Sequence, residues 1–229
     1  MRITVLTGAG ISAESGLATF RAVDGLWENH SIMDVATPEG FAKDPALVHA
    51  FYNMRRKAAH QALPNAAHLA LPKLATHHDL TLVTQNVDDL HERAGSLDVI
   101  HMHGALNRAC CAACGHDWSA PLVMTPQDPC PACGKPSTRP DIVWFGEMPL
   151  HMERIWHALK NSDLFVAIGT SGNVYPAAGF VAEARRAGAH TIEFNLERSA
   201  VGNQFAEHRI GPASQTVPEW VAEVLEARH

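Results

Sequence analysis

The residues best spaced for chemistry are four cysteines, Cys111-x2-Cys114-x15-Cys130-x2-Cys133, with Gly115 and Gly134 directly after the two pairs. Thiolates at this spacing can close a tetrahedral shell, and a glycine after each pair suits the tight turn that brings both sulfurs to one ion. Four protein ligands leave no corner for water or substrate, so a zinc ion here is expected to be structural. It would staple a module of about 105–141 that has too little core to fold alone. Cys110 is spare, and an odd count of cysteines fits a disulfide set poorly.

A second group of residues could hold a phosphate. The run Ile3-Thr4-Val5-Leu6 leads into Thr7-Gly8-Ala9-Gly10-Ile11-Ser12, and glycines after a strand let backbone N–H groups approach an anion. The pattern alone fits either a dinucleotide site or a tight strand-to-helix turn. The acidic residue that reads a ribose about 20 positions on is not convincing: Glu28 has the distance, but Asp24–His30 does not read as a strand. Later candidates are Asn195 and Glu197, closing the run Thr191–Glu197. Leu164–Ile168 runs into a second loop of the same kind, Gly169-Thr170-Ser171-Gly172-Asn173.

Further polar side chains gather where strands should end. Gln85-Asn86-Val87-Asp88 follows Leu80–Thr84 and carries more polar groups than capping a helix needs, although one of Asn86 and Asp88 is expected to cap. His101 and His103 lie on one face of the run Val99–Gly104, where an imidazole suits general-base work near neutral pH. Tyr52 and Arg55 stand three residues apart on a helix, so phenol and guanidinium could grip a carboxylate. On spacing alone, a core-edge tyrosine beside a snorkelling arginine is the favoured reading.

The elements that position these groups follow from periodicity. Ser31 to about Ala62 is helical, a helix from Asn65 to about His78 is interrupted by Pro72, and Ile142–Glu147 reads as a buried strand or an exposed edge able to pair with a peptide. Helices are expected at Met152–Asn161, Pro176 to about Gly188 and Pro218 to about Ala227. Strand and helix alternate from Leu164 to Asn195, which favours a parallel sheet with right-handed crossovers. The fold class is therefore α/β: a Rossmann-like parallel sheet with helices on both faces, built from 1–30, 79–104 and 142–229. It carries a helical insertion at 31–78 and the zinc module at 105–141.

Composition narrows the partners. A net charge of −6 over 229 residues, with no run of Lys or Arg longer than Arg55-Arg56-Lys57, argues against nucleic acid or a polybasic membrane contact. No apolar run approaches a membrane span and no signal peptide is evident, so a cytoplasmic protein is expected.

Gly8-Ala9-Gly10-Ile11-Ser12, Thr84-Gln85-Asn86-Val87-Asp88-x-Leu90-His91, His103-Gly104, the four cysteines, Val143-x-Phe145-Gly146-Glu147 and Gly169-Thr170-Ser171 occur in the order seen in sirtuins. The chain resembles a bacterial NAD-dependent protein deacylase of that family from Ile3 to Trp220. The resemblance implies NAD as co-substrate, held at its pyrophosphate and nicotinamide ribose by Gly8, Ala9, Gly10, Ile11, Ser12, Glu14, Phe20, Arg21, Trp27, Gln85, Asn86 and Asp88. The adenosine half would meet Gly169, Thr170, Ser171, Asn195, Leu196, Glu197 and Ala213.

It further implies that His103 is the general base, that an acyl-lysine peptide threads past Val143 and Phe145, and that nicotinamide and O-acyl-ADP-ribose are the products. Tyr52, Arg55 and the small Ala36 resemble the branch that prefers succinyl- and malonyl-lysine, with acetyl also accepted. Acylated-lysine proteins or peptides are the expected partners, and a monomer is the expected state. An NAD-dependent ADP-ribosyltransferase is the alternative in a related chemistry.

Overall fold

The runs of Ile, Val, Leu and Phe near 3–6, 80–83 and 164–168 form neighbouring strands of one sheet, buried on both faces, which is why they read as nearly unbroken apolar stretches. The computed structural model describes residues 1–19 and 26–227. Its strands are β1 (Arg2–Thr7), β2 (Leu26–Trp27), β3 (His30–Ser31), β4 (Asp79–Thr84), β5 (Val99–His101), β6 (Gly104–Cys111), β7 (Asp117–Ser119), β8 (Thr138–Ile142), β9 (Leu164–Ile168), β10 (His190–Asn195) and β11 (Glu207–Ile210). Its α-helices are α1 (Ile32–Val35), α2 (Pro38–Lys43), α3 (Pro45–Gln61), α4 (Ala66–Ala75), α5 (Leu90–Arg93), α6 (Met152–Asn161), α7 (Phe180–Arg186) and α8 (Ala213–Glu226).

The main sheet has the order β11-β10-β9-β1-β4-β5, with every pair parallel. The chain winds outward from β1 through β4 to β5, returns, and winds the other way from β9 to β11. The order therefore reverses between β1 and β9, and open α/β sheets bind ligands at the carboxyl ends of the strands flanking such a reversal.

One face packs Ile3, Val5, Leu82 and Val166 against Leu71, Leu74, Val217 and Trp220 of α4 and α8. The other packs Leu6, Val83 and Phe165 against Ile155, Leu159 and Phe180 of α6 and α7. Helix α4 falls within 31–78 by sequence, yet it packs on the sheet beside α8. A separate cluster joins Val35, Ala36, Phe51 and Tyr52 to Leu106, Ile142 and Trp144, while β7-β6-β8 make a small antiparallel sheet carrying the cysteines.

Several expectations are corrected. The helical stretch from Ser31 to Ala62 is three helices, because Pro38 and Pro45 each open a new one behind a side-chain cap: Thr37 Oγ1 accepts from Gly40 N at 3.0 Å, and Asp44 Oδ1 from Leu47 N at 2.9 Å. Pro72 does not interrupt α4, whose buried Ala67, Ala70, Leu71 and Leu74 hold it across the missing N–H.

Helix α8 starts at Ala213, five residues early. The Glu14 carboxylate accepts from Ser214 N at 2.9 Å and Oγ at 2.6 Å, placing an acid on the first turn. The helix expected from Pro176 is a 3-10 turn at Ala177–Gly179 followed by α7.

Strand β8 ends at Ile142. Beyond it Trp144 N donates to Glu147 Oε2 at 2.8 Å and Gly146 takes φ +91°, turning 143–147 into a loop. The Asp24–His30 stretch contains the β2–β3 hairpin.

Candidate active site and metal centre

At the sheet reversal the two glycine loops bond to each other. Gly8 N donates to Ile168 O (3.0 Å), Gly10 N to Gly169 O (2.9 Å) and Gly169 N to Phe194 O (2.8 Å). Asn195 Nδ2 adds a bond to Thr170 O at 2.7 Å. Gly8 has φ −125°, ordinary extended backbone, so it is not glycine for the sake of a left-handed turn. A Cβ on Gly8 would stand 2.7 Å from Gly169 O, and one on Gly10 would stand 2.6 Å from Gly169 Cα. The glycines are needed because two backbones touch. Residues Ala9–Ser15 form a 3-10 helix, and a small cavity lined by Leu6, Gln85, Thr170 and Gly172 lies beside the loops.

Ser12 is the hub of a buried polar network. Asn65 N donates to His68 Nδ1 (3.3 Å), which leaves His68 Nε2–H facing Ser12 Oγ at 3.4 Å. Ser12 Oγ also accepts from Asn86 Nδ2 (3.2 Å) and donates to Asp88 Oδ2 (3.1 Å). Asn86 Nδ2 reaches Gly8 O at 3.1 Å, tying the network to the first glycine loop, and Asp88 Oδ1 accepts from Leu90 N at 3.2 Å, the expected cap. Burial raises the Asp88 carboxyl above its ordinary value and lowers the His68 imidazole to about 4. The first glycine loop at the sheet reversal, tied to the buried Asn86 amide and Asp88 carboxylate, stands where a doubly wound sheet takes a dinucleotide.

The two candidate histidines separate cleanly. His101 Nδ1–H donates to Asn86 O at 3.1 Å and its Nε2–H to Glu92 Oε1 at 2.7 Å. Burial opposes its charge, but Glu92 outweighs it and the imidazole pKa is raised. His103 Nδ1–H donates to Gln85 O at 3.2 Å, which fixes the neutral tautomer with its lone pair on Nε2, and burial lowers its pKa. His103 therefore has the free base. Strand β5 ends before it, and His103 O accepts from Val143 N at 2.9 Å, linking the histidine to the 143–147 loop.

That loop packs against the end of α1 and against α3. Phe145 N donates to Ala36 O at 3.0 Å. Arg139 grips Glu147 through two bonds, 2.8 and 3.0 Å, and stacks 3.6 Å over the Trp144 ring. Trp144 Nε1–H donates to Tyr52 Oη at 3.0 Å. Tyr52 is 1 % exposed, and burial raises its pKa. Arg55 lies 3.1 Å from Glu28 and 4.4 Å above the ring of Trp27. Ala36 and Tyr52 belong to one buried cluster with Trp144, Arg55 meets Glu28 beside it, and sequence reasoning missed both Trp144 and Glu28. Trp144 alternates with Val143 and Phe145, so it faces inward, a signal that was available.

Other residues of the resemblance have partners within the protein. The Ile11 side chain is fully buried in the core and its N–H is bonded to Gly8 O, while the Glu14 carboxylate is taken up by Ser214. Trp27, assigned by resemblance to NAD, packs against Phe51 (ring centroids 5.0 Å apart) and under Arg55. Ser171, Leu196 and Glu197 are exposed, and Ala213 starts α8. Phe20 and Arg21 lie outside the described residues.

The four cysteine sulfurs lie within 4.8 Å of one another, with Cys111–Cys133 and Cys114–Cys130 each at 3.7 Å. Sulfurs about 2.3 Å from one zinc ion stand about 3.8 Å apart at tetrahedral corners. Each pair makes the same knuckle. Gly115 N donates to Cys111 O (2.9 Å) and Gly134 N to Cys130 O (2.8 Å), with φ of +74° and +71° at the glycines. The donor set fits a structural zinc ion. Cys110 stands outside it, its thiol pushed up to about 12 by burial.

Fold and site together define a doubly wound dinucleotide-binding α/β protein with an appended four-cysteine zinc module. The model of the Sir2 family matches residues 8–176. The chain belongs to the Sir2 family. It is similar to proteins named NAD-dependent protein deacylase: 60 % identical to one from Shigella flexneri over 98 % of this chain and 84 % of that one, and 57 % to one from Vibrio vulnificus over 97 % and 93 %. A solved Sir2 homologue–NAD complex superposes with a TM-score of 0.91 at 38 % identity, covering 99 % of this chain and 90 % of that one. Sir2Af2 bound to a myristoylated histone peptide superposes at 0.77 with 30 % identity, covering 99 % and 92 %. Among the described residues no helix is long and apolar enough to cross a membrane.

Proposed function

We propose that this chain, an NAD-dependent protein deacylase, removes from protein lysines acyl groups that end in a carboxylate, succinyl and malonyl, and acetyl as well. The observation that carries the acyl preference is Arg55. Its side chain is only 12 % exposed, paired with Glu28 and stacked on Trp27 beside the cluster that holds Ala36 and Tyr52. A guanidinium so far from water gains most from a partner of opposite charge, and its planar fork matches a carboxylate. Tyr52, one turn away, gives its oxygen to Trp144 and keeps its own O–H to donate.

Bound NAD supplies a ribose carbon made reactive by departure of nicotinamide. Asn86, Asp88 and Ser12, locked together and dehydrated, would hold the ribose end in one pose. Val143 and Phe145 would flank the acyl-lysine as it enters, with the target peptide lying along the 143–147 and 172–173 loops. His103 would accept a proton at Nε2 from a ribose hydroxyl, since Gln85 O occupies its other nitrogen.

Steady-state kinetics of Arg55→Met on matched acetyl- and succinyl-lysine peptides tests the selectivity. Loss confined to the succinyl peptide supports it, and equal loss on both rejects it. Mass spectrometry of the same reactions separates acyl removal from ADP-ribose added to protein, the alternative chemistry.

A further inference from the structure

We propose that Glu28 sets the acyl selectivity of this pocket by competing with the substrate's terminal carboxylate for Arg55. The inference rests on the acyl-pocket reading above and adds to it an internal rival for the cation. Strands β2 and β3 pair Trp27 with His30, so Glu28 and Asn29 alone make the turn, with φ of +48° and +67°. Two positive φ values define the tight hairpin turn whose usual occupants are Asn and Gly, and a glutamate in the first place is unusual. His30 Nδ1–H donates to Glu28 O at 2.9 Å and steadies it there.

The consequence is that Glu28 Oε1 sits 3.1 Å from Arg55 Nη1, while the guanidinium rests on Trp27. The rest of the fork is not used up, because the buried Arg55 Nε has no hydrogen-bond partner. A succinyl or malonyl carboxylate that takes the guanidinium must therefore either displace Glu28 or settle beside a like charge. An acetyl group has no charge and meets neither demand. Glu28 thus lowers affinity for acidic acyl groups relative to acetyl and keeps the pocket open to both. It acts through Arg55 and takes no part in the chemical step.

The test is Glu28→Gln assayed on succinyl- and acetyl-lysine versions of one peptide. The expected result is a rise of about fivefold in the ratio of kcat/KM, succinyl over acetyl, the scale of one partly exposed ion pair. The rise should lie in the KM of the succinyl peptide and not in kcat. A melting curve checks that the variant is folded; if it is not, Glu28→Ala serves, with the same expected direction. A ratio that is unchanged or lower overturns the proposal. Failure of the pocket reading itself is distinguishable: Arg55→Met then weakens both substrates alike. A selective loss in Arg55→Met with no change in Glu28→Gln leaves the pocket standing and removes Glu28 from it.

Discussion

Replacing Gly10 by alanine drives a methyl group to 2.6 Å from Gly169 Cα and 2.9 Å from Gly169 O. Carbon atoms in contact sit about 3.5 Å apart, so the two loops must part by roughly 0.9 Å. Backbone atoms line both sides of the contact, and no side chain can rotate away to make room. Overpacking of this kind costs about 1–3 kcal/mol, and loss of the bond from Gly10 N to Gly169 O adds about 1. For a chain of this size a cost of about 3 kcal/mol lowers Tm by roughly 6–12 °C. Gly16→Ala is the control. Gly16 has φ +85° but an added methyl meets nothing within 4 Å, so only the left-handed cost of about 1–2 kcal/mol applies. Differential scanning calorimetry of both variants, with KM for NAD alongside, is the assay. Gly10→Ala should be the less stable of the two and should raise KM for NAD. Equal Tm values for Gly10→Ala and the wild type would refute the claim that the loops form one clamp.

The deacylation profile should report His103: because burial lowers its pKa, kcat/KM should hold through pH 6.5 and fall only as pH drops further, and His103→Ala should lose about 10²–10⁴ in rate while staying folded. His68 makes the fold acid-sensitive. Its folded pKa, about 4, lies below the unfolded 6.5, so the unfolded chain binds the extra proton; stability present above pH 6.5 should drop by about 3 kcal/mol toward pH 4, read from urea midpoints, and His68→Asn should flatten that slope. Metal analysis should find one zinc per chain. Cys130→Ser, which breaks the shell at a buried corner, should release zinc and lower Tm.

What could be read from the chain follows the range of the interactions. The zinc knuckles are local, two residues between ligands and a glycine to turn, so their spacing alone placed the four sulfurs. The sheet was legible in kind because strands buried on both faces are apolar throughout, but its reversal between β1 and β9 depends on pairings 161 residues apart. His101 and His103 looked alike in sequence. They differ through Glu92 and Gln85, which reach them only in the folded chain. Glu28 was weighed as a ribose partner on distance along the chain, whereas a two-residue turn carries it to Arg55 on another element. The glycines of the first loop were recognised, but the reason for them, Gly169, was too distant to see.

The proposed function requires that acyl-lysine and NAD react in one site, with His103 between the sheet reversal and Arg55. The most direct measurement is nicotinamide release from NAD with acetyl-, malonyl- and succinyl-lysine versions of a single peptide. Release that requires an acylated lysine, matches acyl loss one for one and is faster with the acidic acyl groups is the expected result. Release that is equally fast with the unacylated peptide, or that leaves the acyl group on its lysine, would contradict it.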